Sequence, residues 1–290
     1  MATTYRHLEQ ESDIELQHEI WLSATKNLPW AWKPNKTQKL FFNKENFDRR
    51  SKYFAFNSNR KIVGYMSFIN LKDFIPIGYP WTYPQDNIVR DHMWENMINI
   101  LNEDFPKKYF LQRLRSEWKE QKDFFLDKGF KINKEYPIYV FDLQNQLIPN
   151  VDLNGYNFDI HQSINNQYYE LIYNSKEKSS PEGLENAIWY NSTLDYDLCI
   201  FSEKNSSPLS YAGITSRFDL KYSEIAFLEN FKDKTENSKH VLVKTLKELK
   251  KQGINNVSIT LDDQDPSINL IKELGFKSTS KSVYVKLERD

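Results

Sequence analysis

The feature that most restricts the fold is a short motif that occurs once in each half of the chain. Residues 123–130 and 269–276 each read as the last turns of an amphipathic helix, followed by Gly and then Phe. The glycines, Gly129 and Gly275, suit the left-handed backbone position just past a helix end, where a Cβ atom would clash. An alternating apolar run follows each motif and predicts a short pair of strands there.

The spacing of the two motifs indicates an internal duplication. Gly129 and Gly275 are 146 positions apart, which is about half of the 290 residues. The dipeptides Gly64-Tyr65 and Ser210-Tyr211 share that offset. A fixed internal offset is a mark of repeated structural units. The sequence therefore predicts two domains, over residues 1–145 and 154–290, divided by a linker rich in Pro, Asn and Gly.

Each half is expected to contain the same order of helices and strands, with its last strand packed against the other half. Periodicity predicts helices over 89–101, 117–128, 165–173, 181–191, 239–252 and 267–274, and strands over 52–56, 62–69, 77–83, 109–114, 196–201, 209–215, 224–229 and 256–261. The predicted fold class is α/β of the α+β type. Each domain is a mixed, largely antiparallel sheet flanked by helices.

The balance of charge argues against two classes of partner. Lys and Arg total 39 and Asp and Glu total 40, so the net charge is −1. Such a chain has no overall attraction to nucleic acid or to an anionic membrane, and neither partner is expected. No apolar run reaches the roughly 20 residues that span a bilayer, and a cytoplasmic location is expected. The five His do not occur at metal-ligand spacing, so no metal site is predicted.

The segment that ends the second half resembles a known family. Its sequence from Gln264 to Phe276, QDPSINLIKELGF, is similar to the Asn-x-x-Ala-x-x-Leu-Tyr-Glu-Lys-x-Gly-Phe segment of the GNAT superfamily of N-acetyltransferases. Together with the order of elements, the resemblance covers nearly the whole chain, once per half. It implies two acyl-CoA N-acyltransferase-like domains. It also implies acetyl-CoA or another acyl-CoA as co-substrate, and an amine of a small molecule or peptide as acceptor.

The resemblance also implies where a cofactor would bind. In the family, the pyrophosphate of acyl-CoA lies at the N-terminus of the third helix, on a Gln/Arg-x-x-Gly-x-Gly/Ala turn whose backbone N–H groups point at it. The matching segments are 90–95 in the first half and 237–242 in the second, and neither contains Gly. The implied cofactor-binding residues are Asn237, Ser238, Lys239, His240, Val241, Leu242 and Gln264.

Catalytic candidates follow from the family's proton transfers. A carboxylate or water takes a proton from the amine, and a Tyr near the last helix often protonates the departing thiolate. That Tyr position falls on Phe125 in the first half and on Ile271 in the second. Glu224 and Glu229, which flank a predicted strand, and Tyr284, in the last strand, are the catalytic candidates. The alternatives are edge carboxylates in solvent and a Tyr that only packs.

Two interpretations remain open at this point. The chain is either an acyltransferase with a divergent phosphate turn, or a binding or structural module that has kept the fold and lost acyl-CoA chemistry. If one half is active, the second is the better candidate, because it keeps Gln264, Ser267 and the Gly-Phe ending. In the first half, four aromatic residues line either an acceptor pocket or a packed core: Trp30, Trp32, Trp81 and Tyr83.

Overall fold

The computed structural model describes residues 3–34, 48–71, 73–162, 171, 196–231 and 236–289. It separates into two compact units. Unit 1 comprises residues 1–135 and 282–290, and unit 2 comprises residues 136–281. Apart from Leu171, the helices predicted over 165–173 and 181–191 lie outside the described residues.

Unit 1 contains two groups of strands with helices against them. Its elements are β1 (Thr4–His7), α1 (Asp13–Thr25), β2 (Lys52–Phe56), β3 (Ile62–Ser67), β4 (Phe74–Pro76), β5 (Trp81–Thr82), α2 (Asn87–Asp104), β6 (Tyr109–Arg115) and α3 (Lys119–Asp127). Strands β1, β2, β3 and β5 form an antiparallel sheet in that order, and β4 pairs in parallel with β6. Of the strand predicted over 77–83, only β5 and an isolated bridge at Ile77 are present. Pro80, which has no N–H to donate to a ladder, lies between them.

Unit 2 is built on a mixed sheet. The elements that follow α3 in the chain are β7 (Lys131–Asp142), β8 (Asn157–His161), β9 (Leu198–Lys204), β10 (Ser207–Arg217), β11 (Tyr222–Asn230), α4 (Asn237–Lys251), β12 (Asn256–Thr260), α5 (Ile268–Glu273) and β13 (Lys277–Leu287). The strand order in unit 2 is β7-β12-β11-β10-β9-β8. Only the β11–β12 pair in this series is parallel.

Each unit takes a strand from the other half of the sequence. In unit 2, the end of β7 pairs with β12, with Tyr139 opposite Ile259. In unit 1, the end of β13 pairs with β6, with Tyr284 opposite Arg113. The expectation that the last strand of one half packs against the other half is confirmed. The division at 1–145 and 154–290 stays a prediction about sequence repeats, since the compact units include exchanged strands.

The two halves repeat the same elements at the offset found in the sequence. Strands β2 and β9 begin at Lys52 and Leu198, and strands β7 and β13 begin at Lys131 and Lys277. Gly129 and Gly275 have φ values of +88° and +96°, as their place past a helix end requires. The expected pair of short strands after each Gly is wrong, because each segment is one continuous strand, of 12 residues in β7 and 11 in β13.

The core of unit 2 lies between one face of the sheet and the helices α4 and α5. Helix α4 presents Val241, Leu242, Leu246 and Leu249 to this core, and all four are fully buried. Their spacing is that of one helical face. None of the helices in the described ranges is long and apolar enough to cross a bilayer.

Gly213 of β10 lies against the ring of Tyr196, and a Cβ atom there would be 2.6 Å from two ring carbons. We expect Gly213→Ala to lower the free energy of unfolding by about 1–3 kcal/mol, because the buried ring must move. Gly64→Ala is the matched control, since its Cβ would be 2.8 Å from the Met93 sulfur, which ends a flexible chain. Urea denaturation of both variants measures the difference. An equal or larger loss for Gly64→Ala would contradict this account.

Candidate functional site

The most distinctive feature of unit 2 is the divergence of two neighbouring strands. β11 and β12 pair only from Tyr222 opposite Asn256 to Ile225 opposite Ile259. β11 then continues beside β10 as far as Asn230, whereas β12 ends at Thr260. Past Ile225, no strand among the described residues pairs with β11 on the side of β12.

A cavity of about 230 Å³ lies in this gap, which we call the slot. The slot is lined by Ile225, Ala226, Phe227 and Leu228 of β11, by Ile259, Thr260 and Leu261 at the end of β12, and by Asp265 and Ser267 before α5. Small-molecule pockets usually measure about 300–1,000 Å³. The slot therefore suits a narrow chain and not a whole nucleotide.

A β-bulge lies where the two strands separate. Ile225 is opposite Ile214 and Phe227 is opposite Gly213, so Ala226 is an extra residue with no partner in β10. Bulges occur often beside active sites, where they redirect backbone and side-chain groups. Because Ala226 also lines the slot, the bulge brings main-chain groups that the ladder does not use to the wall of the cavity.

The two predicted glutamates lie on β11 on either side of the bulge. Glu224 is opposite Thr215 and Glu229 is opposite Tyr211, and the extra residue between them puts both side chains on the same face of the sheet. Each is only 5% exposed, so the alternative of carboxylates in solvent is wrong. The hydroxyl of Thr260, which lines the slot, donates a long hydrogen bond of 3.5 Å to Glu224 Oε1. Glu224 is thus a buried carboxylate beside the slot.

Tyr284 does not lie with these glutamates in unit 2. It belongs to unit 1, where it is opposite Arg113 of β6. The strand exchange is the reason, because the strand beside β12 in unit 2 is β7 from the first half. Tyr139 of β7 is opposite Ile259 and is buried in the core of unit 2.

The N-terminus of α4 lies next to the end of β11. The hydroxyl of Ser238 donates to Asn230 Oδ1 at 2.5 Å, and the hydroxyl of Ser210 donates to the backbone carbonyl of Asn237 at 3.0 Å. Glu236, which precedes the helix, makes no side-chain hydrogen bond to its first N–H groups. These N–H groups carry the positive end of the helix dipole.

The predicted cofactor-binding residues divide into core and surface groups. Val241 and Leu242 are fully buried, so they offer only backbone atoms. The ring of His240 stacks on Tyr156 with centroids 3.7 Å apart. Burial, followed by the charges of Lys204 and Lys239, lowers the pKa of His240, so its imidazole favours the neutral form. Positive charge around the start of α4 therefore comes from the lysines.

Gln264 lies outside the slot lining, whereas Ser267, which the resemblance had marked, and Asp265, which the sequence did not single out, are part of it. Gln264 is exposed, and its backbone N–H donates to Asp262 Oδ1. Asp265 lines the slot and accepts a hydrogen bond from the backbone N–H of Ser267 at 2.8 Å. The sequence Asp-Pro-Ser at residues 265–267 is typical of a turn and so indicates this geometry. No residue pattern marks Thr260 or Ala226.

The corresponding place in unit 1 is filled by aromatic rings. By the repeat offset, Trp81 corresponds to Phe227 of the slot wall. Trp118 stacks on Trp32 at 4.7 Å and meets the ring of Trp81 at 5.9 Å. The indole N–H of Trp118 donates to the carbonyl of Pro29 at 2.8 Å. Trp81 is only 4% exposed, so its packing interpretation is confirmed, whereas Trp30 and Trp32 are half-buried and Tyr83 is 42% exposed.

The start of helix α2 in unit 1, which is the counterpart of the start of α4, is capped by a side chain. Helix α2 begins after Asp86, whose carboxylate accepts hydrogen bonds from the backbone N–H groups of Ile88 and Val89 at 2.9 and 3.1 Å. Such a cap satisfies donors that would otherwise be open to an anion. At both places, the slot and the helix start, unit 2 is therefore more open to a ligand than unit 1.

Comparisons with known proteins give a fold. No protein-family model and no curated protein matches the chain, but solved structures do. A tandem GNAT protein from the clavulanic acid biosynthesis pathway is 11% identical, with a TM-score of 0.68 and coverage of 99% of this chain and 98% of the other. A GNAT N-acetyltransferase from Sphaerobacter thermophilus is 9% identical, with a TM-score of 0.58 and coverage of 99% and 96%.

A third structure extends the comparison to another acyltransferase. The N-myristoyltransferase of Saccharomyces cerevisiae, solved with bound myristoyl-CoA, is 9% identical, with a TM-score of 0.62 and coverage of 98% of this chain and 78% of the other. At these identities the comparisons establish the fold. The chain therefore has a tandem GNAT fold, with largely antiparallel sheets flanked by helices.

Proposed function

We propose that this protein is an acyl-CoA-dependent N-acyltransferase with one working site, the slot of unit 2. The observation that carries the proposal is the contrast between the units. Unit 2 has an open slot beside a buried carboxylate, Glu224, whereas stacked indoles fill the corresponding place in unit 1. A single chain is then expected to bind one acyl-CoA.

The residues of unit 2 fit the arm of an acyl-CoA. The edge of β11 at Ala226 can bind an extended chain as a sheet edge binds an added strand. The slot is narrow enough for such an arm, and Asn230, at the end of β11, is hydrogen-bonded to the start of α4. The N–H groups at the start of α4, which the side chain of Glu236 does not cap, and the charge of Lys239 favour the pyrophosphate.

The absence of Gly from residues 237–242 is the main argument against binding of the pyrophosphate at the start of α4. The way in which this turn packs weakens that argument. The side chains of Val241 and Leu242 are fully within the core, so they do not cover the outer side of the first turn. The ring of His240 is held to one side by Tyr156. An anion at an exposed helix start is worth on the order of 1 kcal/mol, so the slot must supply most of the affinity.

Acyl-CoA supplies an activated thioester, and the chain supplies proton transfer and charge stabilisation. We assign Glu224 as the base that takes the proton of the attacking amine, directly or through a water. The backbone N–H groups at the Ala226 bulge can stabilise the negative oxygen that develops on the thioester carbonyl. The hydroxyls of Thr260 and Ser267, which both line the slot, can donate to the departing thiolate.

The acceptor is proposed to be a primary amine of a small molecule or a peptide. The length of the acyl chain does not follow from the fold, since the similar structures include N-acetyltransferases and an N-myristoyltransferase. A second candidate function, a binding module without turnover, is favoured by the absence of Gly and Tyr from the family positions. The two functions differ in one result: only the enzyme releases free thiol from acyl-CoA in the presence of an amine.

Filling the slot is the direct test of where acyl-CoA binds. We expect Thr260→Trp to weaken CoA binding at least about a hundredfold, because an indole would occupy the gap between β11 and β12. The matched control is Thr279→Trp, at an exposed position of β13 in unit 2, which should bind CoA like the wild type. Calorimetric titration measures both. Wild-type binding in Thr260→Trp, or no heat from the wild type at millimolar CoA, would contradict the proposal.

A further inference from the structure

We propose that the ring of Tyr196 restricts the slot of unit 2 to short acyl groups, acetyl rather than long-chain. This inference rests on the proposed function, because it concerns the acyl end of a molecule bound in that slot. It starts from the bulge at Ala226, the point where the strands separate and where Glu224 comes close to the slot.

The face of the sheet that carries Glu224 determines where a longer acyl chain would go. Phe227 follows the bulge and is opposite Gly213 of β10, which is in turn opposite Cys199 of β9. Alternation along β10 puts Gly213 on the same face as Thr215, the partner of Glu224. A chain that extends from the bulge across this face therefore meets the backbone at Gly213, where no side chain of β10 blocks it.

Tyr196 occupies the space that Gly213 leaves. Its ring is so close that a Cβ atom on Gly213 would be 2.6 Å from two ring carbons. Tyr196 is 6% exposed and packs with Cys199, Phe201 and Tyr211. Among the described residues, the ring therefore takes the place of the side chain that Gly213 lacks on this face of β10.

The neighbours of Tyr196 hold that wall in place. The hydroxyl of Tyr211 donates to the sulfur of Cys199 at 3.2 Å, and the ring of Tyr211 lies 6.1 Å from that of Phe227, a slot residue. Phe227 packs against the same cluster as Tyr196. A long acyl chain would have to displace a packed aromatic ring, whereas an acetyl group would not reach it.

Titration with CoA, acetyl-CoA and octanoyl-CoA tests this inference on three proteins: the wild type, Tyr196→Ala and Tyr196→Phe. The wild type should bind CoA and acetyl-CoA with similar affinity and octanoyl-CoA about tenfold to a hundredfold more weakly, as is typical for pocket discrimination by size. Tyr196→Ala should bind octanoyl-CoA within about threefold of acetyl-CoA, since the ring volume is gone. Tyr196→Phe keeps the ring and should behave like the wild type.

CoA carries no acyl group, so its affinity tests the proposed function without testing the restriction on acyl length. If the wild type does not bind CoA, the proposed function is overturned and this inference with it. Unchanged CoA binding with the same acyl preference in Tyr196→Ala and the wild type would overturn this inference alone. If Tyr196→Ala does not fold, Tyr196→Leu removes the ring with a smaller loss of volume, and the same gain of octanoyl-CoA binding is expected.

Discussion

Lys52→Met is expected to raise the free energy of unfolding of unit 1. Between about pH 7 and 10, this free energy should depend much less on pH in the variant than in the wild type. Lys52 begins β2 and is only 5% exposed. Its amine donates to Gln17 Oε1 and to the hydroxyl of Tyr65, both at 3.2 Å, and both of these partners are neutral. Burial lowers the pKa of Lys52 to about 7.

The sign of the effect follows from proton binding. An unfolded lysine titrates near pH 10.4. Between about pH 7 and that value, the unfolded chain binds a proton at this site and the folded chain does not, so stability increases as the pH rises. Below about pH 7 both states bind the proton and the full cost is present. A shift of this size corresponds to a cost on the order of 4 kcal/mol.

The repeat shows that an apolar side chain fits this position. Leu198 begins β9 as Lys52 begins β2, and it is buried in the core of unit 2. Replacing a buried ionisable group by an apolar one of similar volume is often stabilising by about 1–4 kcal/mol. Lys52→Met should therefore gain stability most at about pH 6 and least at about pH 9.

Urea denaturation at about pH 6, 7.5 and 9 measures the effect on stability. Lys61→Met, at an exposed position in the turn between β2 and β3, is the control and should change little at any pH. Parallel stability curves for Lys52→Met and the wild type across this range would show that Lys52 keeps an ordinary pKa. The pKa of Tyr65 is raised by burial, so its titration lies above the range tested.

Much of the fold could be predicted from local patterns in the sequence. The helix–Gly–Phe endings, the offset between the halves and the helical face of α4 depend on residues close together in the chain, so they are visible without knowledge of partners. Pro80 and Pro84 were also visible, and they favour an edge or irregular strand there because Pro has no N–H to donate to a ladder.

The features that define the site depend on pairing between distant segments. The bulge at Ala226 exists only relative to β10, and the place of Tyr284 in unit 1 follows from its pairing with β6. A strand pattern gives the face of each residue but not the neighbouring strand. For the same reason the sequence left open whether Glu224 was a catalytic group or an edge carboxylate in solvent, since burial depends on what covers the sheet.

Glu224→Gln is expected to reduce turnover by about 10²–10⁴-fold, the usual contribution of a general base. The amide keeps the shape of the side chain and can still accept a hydrogen bond from Thr260, so the slot should stay intact. Binding of CoA should therefore remain within about threefold of the wild type. A loss of rate without a loss of affinity is the result that distinguishes a proton acceptor from a structural residue.

Glu229→Gln is the matched comparison, because Glu229 lies on the same strand and the same face and is equally buried. It is opposite Tyr211, whereas Glu224 accepts a hydrogen bond from Thr260 of the slot, so we expect less than a tenfold loss of turnover in Glu229→Gln. Release of free thiol from acetyl-CoA, with a panel of primary amines as acceptors, measures the rate for both variants. A large loss in Glu229→Gln alone would transfer the role of base to Glu229.

The pH profile makes the assignment sharper. The acceptor amine must lose a proton in the reaction, so the wild-type rate should rise with pH and then level off at a pH that changes with the acceptor used. Glu224→Gln should lower the rate throughout this range, because solvent must then take the proton. If the profiles of Glu224→Gln and the wild type have the same shape and the same height for every acceptor, the proton leaves through solvent and Glu224 is not the base.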